Sequence, residues 1–165
     1  MINVSGFTRE EKEACLPAID ALVGCCRITR IQGVLALEDF VHRHNNDFLT
    51  FAATLVIDGR DPDLVKGMLQ TLISADDHTG SALLERLIIT EGILNVQAGE
   101  SPDLLEVKLL SMLGEDFLRQ RNLFPVCIKD ATALAEQQFA EKLSEEEQQA
   151  LTWIGDIVAP TEGTS

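Results

Sequence analysis

Residues 58–73 read DGRDPDLVKGMLQTLI, and their punctuation decides the fold. Gly59 suits the left-handed position just past a helix. Asp61 is a strong N-cap, and Pro62 fits the first turn of the next helix, where a missing N–H costs nothing. Leu64, Val65, Met68, Leu69, Leu72 and Ile73 then recur at helical spacing. The same chemistry returns forty residues on, aligning Gly59 with Gly99, Pro62 with Pro102, Asp63 with Asp103, Leu64 with Leu104 and Leu69 with Leu109. Asp61 and Ser101 are both cap residues. Each copy predicts a helix, a tight Gly-x-x-Pro corner and a second helix. Duplication is one account of the match; two capped helices converging on similar letters is the other.

Outward from these corners, the chain reads as helices. Thr8 and Glu11 form a capping box that opens the first. Pro17 predicts a kink or a restart. The pattern continues through Ile19, Leu22, Val23, Cys26, Ile31, Val34, Leu35 and Phe40 to about residue 44. A helix over Asp47–Ile57 feeds the first corner. Residues 74–80 read as a polar loop, and 81–98 as a helix with Leu83, Leu84, Leu87, Ile88, Ile93 and Leu94 as core candidates. The helix after the second corner carries Leu104, Leu105, Leu109, Met112 and Leu113. A short helix is expected within 114–124, and two more over 130–143 and 144–158, the last with a capping box of Ser144 and Glu147. The predicted fold is all-α: a compact helical bundle with two helix-turn-helix units. Residues 1–113 form the main domain, and 114–165 a helical extension packed on it.

The chain has 165 residues, with 13 basic against 27 acidic side chains and a formal charge of −14. A surface this acidic repels nucleic-acid phosphates and anionic headgroups. No run approaches the roughly 18 apolar residues needed to cross a bilayer, and the early acidic residues Glu10, Glu11 and Glu13 do not suit a signal peptide. The expectation is a cytoplasmic protein without direct membrane insertion. Cys15, Cys25, Cys26 and Cys127 form no Cys-x-x-Cys pair and read as buried reduced thiols.

Chemistry-bearing residues are sparse. His42 and His44, two apart on a helix, point away from each other. His78 beside Asp76 and Asp77 is at most a weak surface metal site. No nucleophile motif or phosphate-binding Gly-rich loop is present, and Glu145–Glu147 suits the positive end of a helix. These features argue against an enzyme, a bound cofactor or a metal centre.

Residues 27–38, RITRIQGVLALE, are more informative. Read as one helix, they carry Arg27, Arg30 and Glu38, with Ile31, Val34 and Leu35 as the remaining face. Arg30 and Glu38 would then stand about 12 Å apart along the axis and about 80° apart around it. That is too far for an intrahelical pair, so each is free to meet a partner's charge. Gly33 between them would let another helix approach. The plain alternative is a solvated charged face.

Arg30, Gly33, Leu37 and Glu38, leading through an apolar helix into Asp58-Gly59-x-Asp61-Pro62, resemble the cytoplasmic domain of MotA, the flagellar stator subunit of the MotA/TolQ/ExbB proton-channel family. Glu91-Gly92-Ile93-Leu94-x-x-Gln97-x-Gly99-x-x-Pro102, followed by Leu104, Leu105 and Leu109, is similar to the segment after that family's last membrane helix. The resemblance covers about residues 27–113. It implies that Arg30 and Glu38, with Arg27 as a weaker neighbour, form a partner-binding surface for the rotor switch protein or for stator subunits. Only 26 residues precede Arg27, however, and the loop 74–81 stands where the family's second membrane pair would be. The family's proton pathway lies in those membrane helices, so proton conduction by that route is not expected. The implied protein is a MotA-like cytoplasmic part near the inner face of the membrane, a monomer or weak oligomer. Its helices over 61–73 and 81–98 should close as an antiparallel hairpin capped by Asp76, Asp77 and Gly80. A competing expectation is a structural adaptor or assembly factor that kept the fold without the motor role. Its footprint would lie elsewhere, for example on Ala150, Leu151 and Ile154.

Overall fold

Thr8 and Glu11 make the expected reciprocal cap: Thr8 Oγ1 accepts from the Glu11 N–H at 3.2 Å, and Glu11 Oε2 accepts from the Thr8 N–H at 2.7 Å. They open the first helix of a computed structural model that describes residues 6–123. The helices are α1 (Arg9–Glu13), α2 (Leu16–Gln32), α3 (Leu37–His42), α4 (Asp47–Ile57), α5 (Pro62–Ala75), α6 (Gly80–Gln97), α7 (Pro102–Leu113) and α8 (Glu115–Gln120). A 3-10 turn, Val34–Ala36, links α2 to α3, and no strand occurs among the described residues. The protein is therefore all-α over this span. None of these helices is long and apolar enough to cross a membrane. The first compact unit runs to Leu123 and includes α8; a second comprises Phe124–Ser165. The helices expected over 130–143 and 144–158, their capping box, the face of Ala150, Leu151 and Ile154, and Cys127 lie outside the described residues.

Pro17 acts as a restart. Helix α1 stops after Glu13, and α2 begins with Pro17 in its first turn, where no backbone hydrogen bond is lost. The two Gly-x-x-Pro corners share one hydrogen-bond pattern. At the first, the Gly59 N–H donates to Val56 O at 3.0 Å and the Arg60 N–H to Leu55 O at 3.1 Å. At the second, the Gly99 N–H donates to Val96 O at 3.1 Å and the Glu100 N–H to Asn95 O at 3.0 Å. Both are Schellman closures, which need a left-handed residue; Gly59 has φ 68° and Gly99 φ 76°. Asp61 then accepts from the Asp63 and Leu64 N–H groups, and Ser101 from that of Leu104.

Helices α2 and α6 form the centre. Ile19, Leu22, Cys25 and Cys26 of α2 and Leu84, Ile88, Ile89 and Ile93 of α6 are buried. Helix α2 packs on α6 and α7, and α6 also touches α1, α4 and α5. Two helical glycines permit this packing. A Cβ at Gly92 would stand 2.5 Å from Leu22 Cδ1, and one at Gly24 would stand 2.5 Å from the Phe40 ring of α3. Helices α5 and α6 pack antiparallel: Gln97 Nε2, at the end of α6, donates to the Arg60 carbonyl just before α5 at 2.6 Å. Asp76 ends α5, and Gly80 begins α6 after Thr79, whose side chain makes no capping bond. Only Val65 and Leu69 of the α5 stripe are buried; Leu64, Met68 and Leu72 face outward.

Candidate partner-binding surface

Arg27 and Arg30 lie in the last two turns of α2, where cations oppose the negative end of the helix dipole. Both are exposed. Arg30 Nη1 donates weakly to the Gly99 carbonyl at 3.4 Å, so its guanidinium leans on the second corner, where its charge helps to hold the Glu100 carboxylate ionised. Among the described residues, Arg27 makes no hydrogen bond or ion pair. Glu38 is exposed in the first turn of α3, where an acid suits the positive end of the helix, and it too has no such partner.

The single helix expected over residues 27–38 is not formed. Gly33 has φ 88° and ψ 170°, a conformation that L side chains avoid, and α2 ends there. The chain turns through Val34–Ala36 and restarts as α3, so Arg30 and Glu38 sit on opposite sides of a bend. A Cβ at Gly33 would meet nothing within 4 Å. Its glycine character serves the backbone angle rather than a close approach within the protomer. The expected apolar face is reversed as well. Ile31 is 81% exposed and Leu35 72%, while Leu37 is fully buried and anchors α3. The bend therefore presents a knuckle of two bare aliphatic side chains flanked by Arg27, Arg30 and Glu38. Sequence reasoning found the charges and missed the apolar centre. The overlooked signal was Gly33 itself, a helix stop with Ile31 and Leu35 two residues to either side.

The ground behind the knuckle is held firmly. Cys26 Sγ donates to the Glu100 carbonyl at 2.9 Å. Lys108 Nζ bonds Glu100 Oε2 at 2.6 Å and Asn95 Oδ1 at 2.9 Å. The hydrogen bond from Lys108, aided by the Ser101 N–H, holds the Glu100 carboxyl below its usual range. A shallow cleft beside the bend is lined by Thr29, Val34, Val56, Gly59, Arg60 and Gln97. Asp58 pairs loosely with Arg60 across 4.0 Å.

Elsewhere the reactive groups are quiet. Cys15, Cys25 and Cys26 are free and buried. Burial pushes the Cys15 thiol up to about 11 and that of Cys25 up to about 12, so neither is a ready nucleophile. His44 Nδ1 lies 2.9 Å from Phe40 O and its ring rests on Phe40, while His42 ends α3. His78 pairs with Asp76 at 3.2 Å. No three of His, Cys, Asp and Glu converge among the described residues. Comparison with family models, curated proteins and solved structures gives no match.

Proposed function

We propose that this chain is a MotA-like protein-binding module, acting without catalysis or proton conduction, that docks on a protein of the flagellar motor, either the rotor switch protein or a stator subunit. The observation that carries the binding role is the knuckle: Ile31 and Leu35 stand bare at a glycine-dependent bend, with Arg27, Arg30 and Glu38 around them. Apolar anchors inside a charged rim are the usual anatomy of a protein contact. The rim charges orient the partner and speed its approach, while the aliphatic pair supplies desolvated area. The class of partner rests on the motif resemblance at Arg30, Gly33, Leu37 and Glu38.

The test is titration calorimetry of the full chain against purified switch protein and, separately, against stator subunits. Arg30→Glu and Glu38→Lys should each weaken binding about tenfold, or 1.4 kcal/mol, with the melting temperature unchanged. Absence of binding to either protein would remove the motor assignment and leave an adaptor role. Binding insensitive to both charge reversals would move the contact away from this surface.

A further inference from the structure

At the second corner one carboxylate stands between two cations. Glu100 Oε2 accepts from Lys108 Nζ at 2.6 Å, and Glu100 Oε1 accepts from the Ser101 N–H at 3.1 Å. The ammonium is also held from its other side. Asn95 Oδ1 accepts from it at 2.9 Å, and Asn95 Nδ2 donates to the Glu91 carbonyl at 2.7 Å and to Glu91 Oε1 at 3.1 Å. The second cation is Arg30, whose Nη1 reaches the carbonyl of Gly99, the residue before Glu100, at 3.4 Å. Cys26 Sγ, one turn before Arg30 on α2, donates to the Glu100 carbonyl at 2.9 Å. These two bonds hold the end of α2 against the backbone of Gly99 and Glu100. Arg30 therefore stays within electrostatic range of the carboxylate, which it helps to keep ionised.

We infer that Lys108 is a positioning residue of the partner-binding surface: by occupying Glu100 it keeps the Arg30 guanidinium out of a carboxylate pair and available to a partner. The inference rests on the surface proposed above and adds a control to it. An arginine gains more from a two-pronged, charge-assisted bond to a carboxylate than from one long bond to a neutral carbonyl. Arg30 makes the lesser bond because the better acceptor beside it is already taken. Without the Lys108 charge, Glu100 keeps only the Ser101 N–H, and Arg30 is the cation left to neutralise it. Such a pair would cancel the positive charge that Arg30 contributes to the rim around Ile31 and Leu35. Lys108 itself lies on α7 and acts on the partner only through Glu100 and Arg30.

The Arg30 Nε–Hε signal in solution NMR of the full chain reads the pairing directly, and calorimetry against the switch protein and against stator subunits reads its effect. In Lys108→Gln the Nε–Hε proton should exchange with water more slowly than in the wild type, and binding should weaken as much as in Arg30→Gln. Adding Glu100→Gln should reverse both changes, a rescue that a merely structural role of Lys108 would not show. Lys108→Arg should keep both at wild-type values. Helical circular dichroism checks that each variant folds, and the double variant leaves no lone charge of the pair behind. An Arg30 signal unmoved by Lys108→Gln would overturn the inference. Pairing without loss of binding, or a loss that Glu100→Gln fails to restore, would overturn it equally. If neither motor protein binds the wild type, the motor assignment falls, and the Arg30 signal still decides whether Lys108 controls the pairing.

Discussion

Gly33 and the two aliphatic residues beside it divide the work at the candidate surface. Gly33 sets the bend; Ile31 and Leu35 are what the bend displays. Their substitutions should separate accordingly. Gly33→Ala forces a side chain into a backbone region it avoids and should cost about 1–3 kcal/mol of stability. Ile31→Ala and Leu35→Ala remove side chains that are 81% and 72% exposed, so stability should change by no more than about 0.5 kcal/mol. Urea unfolding monitored by circular dichroism distinguishes the two outcomes. If Ile31→Ala destabilises as much as Gly33→Ala, the isoleucine is part of the core and the knuckle is not a free surface. Arg27, Arg30 and Glu38 were legible as exposed charges because their residue types dislike burial. Ile31 and Leu35 were not, because apolar spacing alone says nothing about which side of a chain is covered.

The two corners show what local chemistry can specify on its own. Gly59 and Gly99 close the preceding helix, Asp61 and Ser101 open the next, and Pro62 and Pro102 fill its first turn. All of this needs only near neighbours, so these helix ends were readable from the letters. The break at Gly33 was harder, because a glycine inside a helical pattern is often tolerated. Here the packing of Phe40 over Gly24 draws α3 back along α2 and requires a sharp turn between them. Helix α5 was readable in position but not in orientation. Its six-residue stripe is wider than the buried contact, and only Val65 and Leu69 reach the interior. The corners should also differ in strength. The Asp61 carboxylate receives two N–H groups, at 2.9 and 3.4 Å, and Ser101 receives one at 3.3 Å. Asp61→Ala should cost about 1–2 kcal/mol and Ser101→Ala about 0.5–1 kcal/mol. Thermal unfolding of the two variants measures the difference, and a larger loss at Ser101 would contradict this ranking.

At the scale of the whole molecule, the buried thiols tie stability to alkaline pH. Desolvation raises Cys15 to about 11 and Cys25 to about 12, above an ordinary value near 9. In the unfolded chain these thiols ionise as pH passes about 9, whereas in the folded chain they hold their protons. Their contribution is complete below that pH and declines as pH rises toward the folded values. The slope reaches about 1.4 kcal/mol per pH unit for Cys25 alone. Urea titrations between pH 8 and 11 should show the decline, and Cys25→Ala should flatten it. A variant with the same pH profile as the wild type would mean that this thiol is not the cause.

The hydrogen bond from Cys26 to Glu100 spans 74 residues, and α2 as a whole rests on α6 and α7. A chain leaving the ribosome at about 5–20 residues per second therefore exposes the apolar side of α2 for several seconds before its cover has been made. The cover of this first long helix comes from chain that follows it, first from α6 and then from α7.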